Sequence, residues 1–321
     1  MLAKPTYMIA AAILAAVFPG SAYTQSYPSR PIRLVVPTVP GGAVDIVARV
    51  VGERLTGALG QQVIVDNRPG GDGTIGLDAV AKAGADGHTL AVTSDSITVL
   101  PFLYRKLPFD PQASFSPIIL TATQPRVLAV HASVPAANVK EFIALAKAKP
   151  GTLSYASGSA AHRLTAELLK QMAGIDLIHV PYKGGAQAVV DLMGGQVPAA
   201  VVGLSPVLPQ ARAGKVRILA VTSGARSAFV PNVPTLAESG LSGFDVYEWI
   251  ILLAPAKTPK EIITRLNAEA ARILAQPAVR ERLEAASLEA KTSSPKDAEV
   301  LIRDGQALWS KLIRELGLKL D

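Results

Sequence analysis

From residue 32 onward, short apolar runs alternate with longer segments in which apolar positions recur every three to four residues. The first pair is "IRLVVP" followed by "DIVARVVGERLTGAL". In the second of these, Val47, Val51, Leu55 and Leu59 share one face while Arg49, Glu53 and Arg54 take others, the pattern of a helix laid over a sheet. "QVIVDNR" with "TIGLDAVAKAG" and "HTLAVTS" with "SITVLPFLYRK" repeat the alternation. A second series follows: strand "VLAVHAS", helix "NVKEFIALAKAK", strand "TLSYASG", helix "AAHRLTAELLKQMAG", strand "LIHVPYK", helix "AQAVVDLMGG", then strands "AAVVGLS" and "VRILAVTS". Continuous apolar strands between helices predict a mostly parallel, doubly covered sheet, and two such series predict two α/β lobes.

The last third departs from this rhythm. A strand at "YEWIILLAPA" precedes three helices, "PKEIITRLNAEAARILAQ", "PAVRERLEAAS" and "PKDAEVLIRDGQALWSKLIRELGL", each opening near a proline. In the last, Leu301, Leu308, Leu312 and Leu316 predict an apolar stripe that needs a lobe to cover. The segment "SAFVPNVPTLAESG" is too short and mixed for a free tether, so ordered strands are expected to join the lobes, a connection suited to a hinge.

The first 22 residues follow a different logic. Lys4, the apolar core "YMIAAAILAAVF" and the small residues ending at Ala22 read as a signal peptide (1–22) that directs the protein across the cytoplasmic membrane, to an envelope or secreted space. Twelve apolar residues fall short of the roughly 20 that span a bilayer. The absence of cysteine removes disulfides, thiolate nucleophiles and a cysteine-borne lipid anchor. A composition 49% hydrophobic but only 5% aromatic, with 24 Pro and 26 Gly, suits packed aliphatic cores with many turns. The net charge of +7 is dispersed among acids, not gathered into basic arms, which argues against nucleic acid as a partner.

Glycine-rich turns recur at strand ends: "PGGAVD", "NRPGGDGTIG", "ASGSAAH" and "PYKGGAQA". In an open α/β sheet such turns lie at the carboxyl ends of strands, where helix N-termini offer amide donors, so all four can face one cleft. Enzyme patterns are missing. "GDGTIG" only loosely resembles the dinucleotide fingerprint, no phosphate-loop pattern occurs, and "SGSAA" lacks the closing glycine of a nucleophile elbow. His88, His131, His162 and His179 show no metal-ligand spacing, so neither metal nor cofactor is expected. Lys183 is either an anion contact or solvated, and Tyr182 reads as a packing or cleft-wall residue. Asp45 falls in the first turn of its helix, where a carboxylate gains roughly 0.3–1 kcal/mol from the dipole, so it reads as an organiser of the turn or as a direct ligand contact.

In order along the chain, "YPSRPIRLVVP", "PGGAVDIVAR", "VDNRPGGDGTIG", "ADGHTL", "LPFDPQASFSPI", "YASGSAAH", "HVPYKGGAQAVVDLMGGQV", "VRILAVTS", "PNVPTLAESG" and "APAKTP" resemble the periplasmic solute-binding proteins of tripartite tricarboxylate transporters, the TctC or Bug family. The resemblance covers the whole mature length. It implies a two-lobe periplasmic binding protein fold, type II-like and closing like a Venus flytrap, with two doubly covered mixed sheets and an interlobe cleft. Lobe 1 would combine 26–128 with 222–321, and lobe 2 would take 129–221. A small organic carboxylate, whether a di- or tricarboxylate, an aromatic carboxylate or an amino acid, would be held by two facing loops: Val39, Pro40, Gly41, Gly42 and Ala43 on one side, Ser157, Gly158, Ser159 and Ala160 on the other, with His162 just inside the next helix. Ser94, Asp95 and Ser205 are further cleft candidates.

Several positions depart from the family pattern: Thr38 and Val39 stand where relatives carry an aromatic beside the first loop, Pro198 replaces an acid after "GQV", and His88 replaces a tyrosine. The smaller residues at the first loop predict room for a bulkier ligand tail. The protein is therefore expected to be a monomeric, non-enzymatic binding protein that delivers its ligand to membrane permease subunits. One alternative is a sensory partner of a receptor kinase. An enzyme on a two-lobe fold, of the porphobilinogen deaminase kind, would need a cysteine to carry its cofactor.

Overall fold

The computed structural model describes residues 27–316, so the signal segment expected over 1–22 lies outside the described residues. The first series folds as β1 (Ile32–Val36), α1 (Ala43–Leu59), β2 (Val63–Asn67), α2 (Thr74–Ala81), β3 (Thr89–Ser94) and α3 (Ser96–Leu103). A 17-residue strand, β4 (Phe115–His131), leads into the second: α4 (Val139–Ala148), β5 (Ser154–Ser157), α5 (Ala160–Ala173), β6 (Ile178–Pro181), α6 (Gly185–Met193), β7 (Ala199–Gly203), α7 (Leu204–Arg212) and β8 (Val216–Val221). The chain then returns through β9 (Tyr247–Pro255), α8 (Lys260–Leu274), α9 (Pro277–Ala285), β10 (Glu289–Ala290) and α10 (Pro295–Leu316).

The strands form two mixed sheets sharing β4. β2, β1 and β3 are parallel, and β9 lies antiparallel between β3 and the first half of β4. From Arg126 onward β4 changes partners, lying antiparallel to both β7 and β8, and β5 and β6 extend that sheet in parallel from β7. The chain thus passes between the sheets within β4 and again between β8 and β9. Sequence reading found only the second half of β4, because Pro117 and Pro125 argue against a central strand. Pro117 sits at a register shift, between Pro117 and Ile119, and Pro125 forms the last pair of the β9 ladder, opposite Tyr247, just before β4 changes sheets.

α1 lays Val44, Val47, Val51, Leu55 and Leu59 into a core shared with Leu34, Ile250, Leu252, Leu266 and Ile273. Each such side chain, fully buried, contributes about 1.5–3 kcal/mol relative to exposure. α1 stops at Gly60, which takes the left-handed conformation and donates its amide to the Thr56 carbonyl. A second core joins both halves, with α3 packed on α5 and Val35, Leu100, Leu128, Tyr155 and Leu164 in one continuous cluster. Two sequence expectations need correction. α7 lies where no helix was expected, because Pro206 and Pro209 interrupt its pattern, yet both prolines fit its nine residues. In α10 Ala298, Ile302 and Trp309 are buried and Leu301 and Leu312 of the expected stripe pack against the same core, while Leu308 stands 43% exposed, so that one leucine falls outside the covered face.

Candidate functional site

The turn from β1 into α1 is built around Asp45, which is only 3% exposed. Its Oδ2 accepts the Gly41 amide (3.0 Å) and Arg49 Nε (2.9 Å), and its Oδ1 accepts Asn67 Nδ2 (2.9 Å). Asn67 also donates to the Thr38 carbonyl at 3.1 Å, so one acid and one amide fix both ends of the turn. Burial alone would raise the Asp45 carboxyl, but bonds from Arg49, Gly41 and Asn67 outweigh it and hold the group below its ordinary range. Helical bonding starts at Ile46 N to Gly42 O, so the amides of Ala43 and Val44 have no intrahelical acceptor.

Across the gap, β5 turns into α5 through Ser157, Gly158 and Ser159. Ser159 caps the helix, its Oγ accepting the His162 amide at 3.3 Å. Gly158 lies against the backbone of Gly184 and Gly185, and a Cβ built on Gly158 would collide with that backbone. Gly184 in turn admits Val39 from the opposite turn, since a Cβ there would stand 2.6 Å from Val39 Cγ2. Val39 N donates to Lys183 O at 3.4 Å, so the two sides touch.

Between them lies a chamber of about 30 Å³, the size of one water, on which four helix N-termini converge: Gly42 to Val44 of α1, Gly158 and Ser159 ahead of α5, Gly184 and Gly185 at α6, and Gly203 and Pro206 at α7. Each such terminus carries about half a positive charge. A larger chamber of about 450 Å³ adjoins it, sharing Thr38, Val44, Ser94, Gly158 and Ser159. Asp72, Tyr104, Arg163, His179, Tyr182 and Lys183 line its far wall.

The floor of the small chamber holds residues that sequence reading did not single out. Glu248 is 4% exposed, and its Oε2 lies 3.0 Å from Gln124 Nε2 and 3.3 Å from His162 Nε2. Burial favours the neutral acid, but His162, Arg126 and Gln124 together hold the Glu248 carboxyl below its ordinary range. Arg126, wholly buried where β4 changes sheets, is paired with Asp95. The signal was present: Glu248 is a lone acid in the apolar run "YEWIILL", and Gln124 and Arg126 interrupt "TATQPRVLAV". A buried charge in a strand asks for a buried partner.

Of the expected site residues, Val39, Gly42, Ala43, Ser94, Gly158, Ser159 and His162 line the small chamber, and Ser94, Gly158, Ser159 and Tyr182 line the large one. Burial, with the 2.7 Å hydrogen bond it donates to Asp191, pushes the Tyr182 hydroxyl up to about 12. Pro40 and Gly41 are exposed at the rim. Asp45 lies beneath the turn, lining neither chamber. Ser157 binds His179 through its Oγ at 2.7 Å, and Ala160 is buried in the first turn of α5. Ser205 gives its amide to Gln124 at 2.8 Å. Asp95 faces away, onto a separate cavity behind the floor.

Residues 47–318 match the family described as the tripartite tricarboxylate transporter family receptor, TctC. BugT of Bordetella pertussis is 38% identical over all of this chain and 98% of its own length. R. palustris Rpa4515, solved with adipate, superposes with a TM-score of 0.87 at 34% identity, covering 91% of this chain and 99% of that one. MatC from Rhodopseudomonas palustris, solved with malate, gives a TM-score of 0.84 at 30% identity, over 89% and 100% of the two chains. With two mixed α/β sheets, a lined gap between facing turns and this match over most of its length, the chain belongs to the TctC family of receptors.

Proposed function

We propose that this protein captures a small organic carboxylate between the turns Val39–Ala43 and Ser157–Ala160, and passes it unchanged to the membrane permease subunits of a tripartite tricarboxylate transporter. What carries the reading is the convergence of four helix N-termini on one small chamber, which supplies amide donors and positive potential for one carboxylate group. The adjoining 450 Å³ gives the rest of the ligand room at the lower end of the range common for binding sites. The adipate and malate bound by the two relatives support the same ligand class. In this reading residues 26–128 with 222–321 form one lobe and 129–221 the other, bending at β4 and between β8 and β9 as the ligand enters. The leader at 1–22 would deliver the protein to the periplasm.

A carboxylate panel including adipate, malate and benzoate, followed by thermal unfolding of the mature protein, tests the proposal. A ligand at 100 times its Kd adds about 2.7 kcal/mol. Gly42→Val should abolish that gain with little loss of stability: Gly42 has an ordinary φ of −85°, lines the small chamber, and a Cβ there meets no protein atom within 4 Å. Stabilisation by no member of the panel, or undiminished stabilisation in the folded variant, would overturn the placement.

A further inference from the structure

Behind the floor of the cleft, between α10 and the entry to β9, lies a cavity of about 300 Å³ that shares no lining residue with the two chambers. Its walls include Asp95, Asp245, Asp304, Tyr247, Trp249 and Trp309. Ser94 faces the cleft while the next residue, Asp95, faces this cavity.

Asp95 and Glu248 are both buried carboxylates beside it, with the Arg126 guanidinium between them and the His162 imidazole 3.3 Å from Glu248. Asp95 accepts from Arg126 through its Oδ2, but its Oδ1, shielded from solvent, has no hydrogen-bond partner. Burial first, with the Glu248 charge adding to it and Arg126 opposing, pushes the Asp95 carboxyl up to about 6. Asp245, which accepts the Gly224 amide at 2.7 Å, and Asp304, ion-paired with exposed Arg303 at 3.0 Å, stand at the rim. Among the described residues no group of three or more His, Cys, Asp or Glu is placed to hold a metal ion. Trp249, Trp309, Tyr247 and Leu308 instead offer aromatic and aliphatic surface, which suits a cation carrying carbon.

We propose that this cavity binds a small organic ammonium ion, its charge set against Asp95 and the rim aspartates and its carbon against the tryptophans. The chain has two tryptophans, and both line the cavity, so intrinsic fluorescence reports occupancy directly. Titrating the mature protein with choline and with putrescine should give a saturable change in tryptophan emission that NaCl at equal ionic strength does not produce. Asp304→Asn and Asp245→Asn, both at exposed positions, should each weaken the apparent affinity about threefold or more, while Gly42→Val should leave it unchanged. Absence of a saturable change, an equal response to NaCl, or indifference to both rim substitutions would overturn the proposal. Loss of the response in Gly42→Val would do the same, by placing the amine in the cleft.

Discussion

The turn between β1 and α1 is held by Asp45, whose carboxylate gathers the Gly41 amide, Arg49 and Asn67, whereas the turn between β5 and α5 is held by Gly158 resting directly on Gly184 and Gly185. Both present amides and a helix N-terminus to the same small chamber. One frame is polar and made of side chains, so a substitution can weaken it by degrees. The other is backbone against backbone, so any side chain at Gly158 must move a neighbouring turn. The two halves of the site therefore reach similar geometry with different tolerance to change.

The largest effect expected from this difference belongs to Gly158→Ala. Its Cβ would overlap the backbone at Gly184 and Gly185, and no flexible side chain is there to yield. Overpacking typically costs about 1–3 kcal/mol and more where backbone must shift, so a loss of about 3 kcal/mol or more is expected in urea unfolding. A loss below about 1 kcal/mol would mean that the second turn adapts as readily as the first, and the contrast would fall.

Asp45→Asn comes next. Hydrogen bonds to a charged group contribute about 1.5–3 kcal/mol, and Arg49 is half exposed, so about 2 kcal/mol is expected at pH 7. The carboxyl is held below its ordinary value of 3.8, so its contribution is complete above that value and disappears as pH falls through the folded-state value. Paired denaturation curves should therefore show the variant and the parent converging below about pH 3.8. A gap that persists unchanged to pH 2.5 would show that shape, not charge, holds the turn.

The same contrast explains what the sequence made legible. Asp45 could be read as an organiser because an acid three residues past a Pro-Gly-Gly turn has few other tasks in a helix's first turn. The alternation of strands and helices was legible too, since periodicity follows from which face is buried. Gly158 was visible as a turn glycine, but its contact with Gly184 joins residues 26 positions apart through the meeting of two turns, which local pattern does not encode. Asp95 reads as a cleft residue because it follows Ser94 at a strand's end, yet successive residues there face opposite sides. Glu248 and Arg126 are hidden in runs whose apolar length sets the strand pattern while their partners lie far away in sequence, and β4 and α7 are obscured by prolines that tertiary packing accommodates.

The smallest effect separates capping from the proposed ligand contact at Ser159, whose Oγ accepts the His162 amide and which lines both chambers. Ser159→Ala should cost about 1 kcal/mol, the usual loss of an N-cap, and because the hydroxyl is neutral the cost should not vary between pH 4 and 8. Ser159→Asp keeps an equally good cap, so its unfolding free energy should stay within about 0.5 kcal/mol of the parent at pH 7. It also sets a second carboxylate where the ligand's own would enter, and like charges at a few ångströms repel. Adipate should then no longer raise the unfolding temperature of a protein that is otherwise as stable as before. If Ser159→Asp still responds to adipate as the parent does, the carboxylate does not sit between these two turns, however similar their amides make them.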